Sequence, residues 1–297
     1  MKNMKRICAM ILLAVLCLSL CACGSTGTSS ASGNTATADS APAATDASET
    51  AEAEASAETA ADESDLDYVK GKGTLVVGIT DFAPMDYQDA SGNWIGFDAD
   101  MATAFADSLG VSIEFQVIDW DNKVLELNGK TIDCVWNGMT LTDEVKSAME
   151  TSNAYCNNAQ VVVVPAAVAD QYQTVESLGG LNFAVENGSA GMAVAEENGF
   201  SFVEVTDQAT TLLEVKSGTA DAAIIDSLMA AAMVGEGTDY SDLAYTVGLN
   251  SEEYGVGFRK GSDLAAALND FLTASYADGT LQACAETYGV QAALIAQ

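Results

Sequence analysis

The sequence predicts an α/β protein in two lobes joined by two crossover strands, on three observations. Beyond Lys72-Gly73, short β-branched runs alternate with stretches of helical periodicity, the mark of a sheet covered by helices. An apolar strand that stops at Pro165 is followed by a second, shorter cycle of the same kind. The stretch from Glu253 onward holds one strand and two helices, too little for a domain of its own, so it packs back onto the first cycle. In this reading residues 67–160 with 252–297 form the first lobe and residues 161–251 the second.

Taken in order, the chain opens with Lys2, Lys5 and Arg6 ahead of an apolar run from Ile7 to Leu20, the charged and apolar regions of a secretory signal. A spanning helix needs ~20 apolar residues, so the run is short for one. Residues 1–22 therefore read as a signal peptide. Leu20-Cys21-Ala22-Cys23-Gly24 closes it and resembles the bacterial lipobox, which makes Cys23 the expected lipidated residue and the membrane a partner through that anchor. From there to residue 66 the sequence is almost entirely Ala, Ser, Thr, Gly and acidic residues, with too little apolar surface to offset chain entropy. It reads as a disordered acidic tether.

The charge balance excludes whole classes of function. The 297 residues include 43 acidic and 11 basic ones, for a formal charge of -32, so there is nothing to displace the counterions of a nucleic acid. Histidine is absent, which removes the usual general base and the imidazole metal ligand. No cofactor or metal is expected. Cys134, Cys156 and Cys284 remain once the signal and Cys23 are set aside; an odd number allows at most one disulfide, and burial as free thiols is the simpler reading.

Thr74 to Ile79 reads as a buried strand. Met101, Phe105 and Leu109 stand at helical spacing in a segment that ends at Gly110, a residue suited to a helix C-cap. Val111 to Ile118 alternates as the next strand. Val124 to Leu127 ends at Asn128-Gly129, and a third strand begins at Thr131 and delivers Trp136-Asn137-Gly138-Met139-Thr140 at its C-terminal end, the side on which open α/β sheets bind ligands. After Ala159 to Val164, the second cycle contains strands at Leu181–Val185, Phe202–Val205 and Ala220–Ile225. Its helices are expected from Ser189 to Asn198 and from Gln208 to Lys216.

This order resembles the family 3 extracellular solute-binding proteins, the amino-acid-type receptors of ABC importers. The stretches that carry the resemblance are DFAPMDY, GFDADMATAFADSLG, DWDNKVLELNGKTIDCVWNGMTLTDE, VENGSAG, SGTADAAIID and the long run from Tyr254 to Gly289. It covers about Leu75 to Gly289. It implies the two-lobed, periplasmic-binding-protein-like fold of type II with two crossover strands as its hinge. It also implies a non-enzymatic monomer on the outer face of the cell membrane that binds an amino-acid-like small solute and delivers it to an ABC permease and its ATPase. A dehydratase on the same fold and a lipid-anchored sensory module are the alternatives.

Site residues follow from the same resemblance. Phe82 and Trp120 match positions whose large side chains line the cleft, and Trp136 has two readings, cleft or core. Asn137, Gly138, Met139 and Thr140 match the stretch that grips an amino acid's polar groups. Gly188 and Ser189 match its counterpart from the second lobe, although Thr140, Thr142 and Ser189 also suit helix N-caps. Asp226 matches the acceptor of the ligand's ammonium group and is otherwise a cap for the helix after it. Glu186 adds an acid nearby, either at the site or solvated. The departure is Val145, which stands where the family's T-x-T-x-E-R pattern has an arginine that clamps the ligand's carboxylate. Lys146 lies about 100° further around the helix and is expected to point elsewhere.

Overall fold

The computed structural model describes residues 64–297; the signal peptide, Cys23 and all but the last residues of the expected tether lie outside them. The tether's boundary needs correcting. Helix α1 (Asp65–Lys72) begins at a Ser64 cap, and Asp65 and Arg259 are hydrogen-bonded at 2.9 Å. Arg259 also donates to the carbonyls of Leu127 and Ile132 and faces Asp133, which Lys72 meets at 2.6 Å. Asp65 and Asp133 are buried, so the cationic partners are what make their charge tolerable there.

Beyond α1 come β1 (Thr74–Ile79), a small hairpin of β2 (Tyr87–Gln88) and β3 (Trp94–Ile95), α2 (Phe97–Leu109), β4 (Ser112–Val117), α3 (Lys123–Asn128), β5 (Cys134–Thr140), α4 (Asp143–Ala148), β6 (Glu150–Thr151) and β7 (Cys156–Asn158). The second series is β8 (Gln160–Pro165), β9 (Asn182–Glu186), α5 (Ala190–Glu197), β10 (Ser201–Val205), α6 (Gln208–Ser217), β11 (Ala222–Asp226), α7 (Ser227–Met233) and β12 (Leu243–Gly248). The chain then returns through β13 (Glu252–Phe258) to α8 (Leu264–Asp278) and α9 (Thr280–Tyr288).

Two sheets result. One has the order β4-β1-β5-β13-β6 with β7 also on β13; the other has the order β10-β9-β11-β8-β12. β1 runs parallel to β4 and β5, and β9 parallel to β10 and β11, whereas β13, β8 and β12 pair antiparallel. The chain crosses between the sheets twice, from Asn158 to Gln160 and from Gly248 to Glu252. This is the two-lobed α/β fold of the sequence reading, and both passages are too short to hold helices.

Local chemistry explains the ends of the elements. α2 stops at Gly110 in a left-handed conformation, which glycine adopts at little cost. Ser189 caps α5 through Met192 N–H, and Asp207 caps α6 through Thr210 N–H, each satisfying a donor that the first turn leaves free. β5 starts three residues later than Thr131 and continues through Met139 to Thr140. The tract after Trp136 is therefore strand, and the helix beyond it is capped by Thr142. Cys134, Cys156 and Cys284 are all free thiols.

The central strand β5 is buried along its first six residues and separates two apolar clusters. Cys134 and Trp136 pack with Phe105, Tyr155 and Tyr254 on one side. Val135 and Met139 pack with Trp120, Leu127, Val145 and Met149 on the other. The second sheet has its own cluster around Val162, Val164, Phe183, Val185 and Ile224.

Candidate functional site

Phe82 leads the lobe-one wall of the cavity. It follows β1, is buried, and lies against Gly138 so closely that a Cβ there would come within 2.3 Å of the ring. Gly138 also has φ +55°, so glycine is required on both counts. Its N–H donates to Asp98 Oδ2 at 2.7 Å, and Asp98 in turn accepts from the Tyr155 hydroxyl at 2.8 Å. Burial pushes Asp98 up to about 7 against those hydrogen bonds.

Asn137 is fixed just as firmly. Its Oδ1 accepts from the Thr80 N–H and hydroxyl, and its Nδ2 donates to Asp86 Oδ2 at 2.7 Å. The amide is thus consumed inside lobe one and positions the wall. Thr140 points its hydroxyl to Glu252 Oε1 at 2.9 Å and is not a cap; Thr142 has that role.

Trp120 and Lys123 lie one helical turn apart. The Lys123 ammonium sits 4.8 Å from the centre of the Trp120 ring, a cation–π arrangement. It donates to the Trp120 carbonyl and, across the cavity, to the Gly188 carbonyl of lobe two, each at 3.1 Å. Burial lowers its pKa, and Glu186, Asp121 and Glu144 work against that shift. Gly188 has φ +69°, and a Cβ on it would lie 2.9 Å from the Asp121 Cα. The lobes are in contact at this point.

Lobe two supplies the two buried acids. Glu186 ends β9 at 3% exposure, and its Oε1 accepts no hydrogen bond. Burial raises its pKa well above the usual carboxyl range, and Asp226 and Asp207 add to the rise. Asp226 ends β11, equally buried. Its Oδ1 accepts from Asn158 Nδ2, from Gln160 Nε2 at 3.1 Å and from the Tyr254 hydroxyl at 2.7 Å, while its Oδ2 accepts from Gln208 Nε2. The side chain makes no cap to α7. Burial and then the charge of Glu252 push its pKa up to about 8, despite the hydrogen bonds from Tyr254 and Gln208. Glu252 itself accepts from Asn158 and Gln160, so both carboxyls sit where the chain crosses between sheets.

These groups surround one cavity of about 300 Å³, the small end of the range for ligand sites. Phe82, Trp120, Asn137, Gly138, Met139, Thr140, Val145, Glu186, Gly188, Ser189 and Asp226 all line it. Trp136 does not. Its ring is buried beside Phe105 and Tyr155, 6.3 and 6.4 Å away between centroids, so the core reading of that residue is correct. Lys146 is exposed on the far side of its helix.

The sequence reading missed Lys123, Gln208 and the acids Asp121, Glu144 and Glu196, which also line the cavity. Lys123 carried a usable signal, since an i, i+3 spacing from Trp120 puts both on one helical face. Gln208 carried none; it reaches Asp226 only because α6 packs beside β11.

Two α/β lobes that enclose a buried polar cavity and are linked by two short crossings define a solute-binding protein. The chain belongs to the bacterial extracellular solute-binding proteins, family 3, whose family model matches residues 75–291. It is 32% identical over 233 residues to the L-cystine-binding protein TcyJ of Escherichia coli (strain K12), covering 77% of this chain and 87% of that one. The structure of an ABC uptake transporter substrate-binding protein from Streptococcus pneumoniae with bound histidine superposes with a TM-score of 0.71. That likeness is at 29% identity and covers 78% of this chain and 98% of that one. A cyclohexadienyl dehydratase of Pseudomonas aeruginosa is 26% identical over 175 residues, 57% of this chain and 65% of its own length.

Proposed function

We propose that this protein captures an amine-bearing small solute, an amino acid or a relative of one, between its lobes and hands it to an ABC permease, held to the outer face of the membrane by a lipid on Cys23. In this reading residues 67–160 with 252–297 and residues 161–251 are the two lobes that close on the solute. The observation that carries it is the buried pair Glu186 and Asp226 on one wall of a cavity between the lobes. A buried carboxyl is uncomfortable as an anion without a partner, and an ammonium group supplies one through charge-assisted hydrogen bonds. Phe82 and Trp120 then cover the solute's apolar faces, and Gly188 and Ser189 close over it from lobe two.

The relatives support binding more than turnover. The cystine-binding protein and the histidine-bound structure are both binding proteins by name. The dehydratase reading has one point in its favour, carboxyl groups whose raised pKa values suit a general acid. Among the described residues the cavity wall carries no uncommitted cation to hold an anionic substrate, because the Lys123 ammonium already serves two carbonyls.

The test is mass spectrometry of the small molecules released on denaturing gently purified protein, followed by incubation of the identified solute with fresh protein. Recovery of a stoichiometric amine, unchanged after incubation and no longer retained by Asp226→Asn, is the expected result. A solute converted to a dehydrated product would replace this reading with the enzyme.

A further inference from the structure

We propose that the cavity selects a cation without a carboxylate, an α,ω-diamine or guanidino-amine, over the amino acid with the same side chain; this rests on the solute-binding reading above. Among the described residues, the charged side chains on the wall are Asp121, Glu144, Glu186, Glu196 and Asp226 against Lys123. That cation is already committed. Two of the three ammonium hydrogens go to the Trp120 and Gly188 carbonyls, and its charge faces Glu186, Asp121 and Glu144.

A ligand carboxylate would need other donors, and several of those the loops offer are spent. Gly138 N–H goes to Asp98, Thr142 N–H to the Thr140 carbonyl, Val145 N–H to Thr142, Ser189 N–H to the Glu186 carbonyl and Met192 N–H to Ser189. Thr80 and Thr140 spend their hydroxyl hydrogens on Asn137 and Glu252. What remains at Thr142 and Ser189 is hydroxyl, a neutral donor. An anion brought here meets the negative charge of Asp121, Glu144 and Glu196 on the exposed part of the wall, against the one charge of Lys123.

The acceptor side is the reverse. Glu186 Oε1 is buried on the wall with no hydrogen-bond donor, an arrangement that costs free energy until a donor arrives. A cationic head placed against Glu186 and Asp226 supplies it. Between the acids the wall is Val124, Met139, Val145, Ala148, Met192 and Ala193, an apolar lining for a methylene chain. Glu144 and Glu196 lie on α4 and α5 and offer negative charge to the second cationic end.

The experiment is isothermal titration calorimetry on the purified protein, stripped of endogenous solute by unfolding and refolding, with three matched pairs: putrescine and ornithine, cadaverine and lysine, agmatine and arginine. Members of a pair differ only by the carboxylate. The expected result is that at least one amine binds ~10-fold or more tightly than its amino acid, the loss expected for a desolvated, unpaired charge. Glu186→Gln, which keeps shape and removes the charge, should abolish that amine's binding, and Val145→Arg should turn the preference toward the amino acid. Amino acids binding more tightly than their amines, with binding lost in Asp226→Asn, would overturn the selectivity and leave the solute-binding reading intact. If none of the six binds, the selectivity is overturned; if in addition the purified protein releases no small molecule, the solute-binding reading falls with it.

Discussion

Replacing Gly188 by alanine tests whether the contact between the lobes is part of binding. The added methyl would stand 2.7 Å from Asp121 Oδ1 and 2.9 Å from the Asp121 Cα. The carboxylate can rotate away, but the Cα belongs to the other lobe's backbone. Carbon atoms rest at about 3.5 Å or more, so the lobes must part by about 0.6 Å here. The Lys123 bond to the Gly188 carbonyl, now 3.1 Å, would then stretch beyond hydrogen-bond range. Hydrogen bonds to charged groups contribute about 1.5–3 kcal/mol, which corresponds to roughly a 10- to 100-fold weaker Kd. The left-handed backbone at φ +69° adds a strain of about 1–2 kcal/mol, but open and closed forms share it, so it lowers unfolding stability without entering the binding constant. Gly199→Ala is the matched control, with φ +67° and open space around the new methyl. Calorimetry with the tightest amine of the panel and small-angle scattering with and without it are the assays. Equal Kd values for wild type, Gly199→Ala and Gly188→Ala would refute the argument.

Three further outcomes are expected. Arg259→Ala leaves the buried Asp65 and Asp133 without their guanidinium, and denaturant unfolding should show a loss of about 3–5 kcal/mol. Trp136→Ala should cost about 3–5 kcal/mol as a core truncation and leave ligand Kd little changed, whereas Trp120→Ala, which removes a buried ring that also lines the cavity, should lower both stability and affinity; calorimetry and thermal melts on both variants separate the two. The third concerns pH. Asp226 in the folded protein is pushed up to about 8 and Glu186 is raised too, so the folded state without ligand holds protons that the unfolded chain releases near pH 4. Stability of the empty protein should therefore fall as pH rises from about 4 to 8 and then level off. A bound cation favours the charged carboxyls, so affinity for the amine should rise with pH over the upper part of that range with proton release. Titrations in buffers of different ionisation enthalpy measure the protons, and a binding enthalpy independent of the buffer would count against this account.

Much of the molecule follows from local sequence. Alternation of buried strands and amphipathic helices sets the two cycles, and Gly110, Ser189 and Asp207 act on their own neighbours, so the capping chemistry is written in a few adjacent residues. Phe82, Gly138, Gly188 and Asp226 were picked out by the family resemblance rather than by local pattern, and the structure puts all four on the cavity wall. The tether's end was misjudged by a local argument. Asp65 looks like one more acidic spacer residue until Arg259, far away in sequence, is placed beside it.

Trp136 shows where the sequence stops. β5 is apolar on both faces, so a period of two cannot say which face meets the cavity, and the answer came from the packing of Phe105 and Tyr155 on one side. Nor does sequence bring Lys123 to the Gly188 carbonyl, Gln208 to Asp226, or Asp226 to Glu252 at the crossings between sheets. Each is a meeting of side chains from elements distant along the chain. Sequence determined which chemical groups the protein owns and which elements carry them. Tertiary structure decided which groups face one another, and through burial and proximity it set the charge that the cavity presents to a ligand.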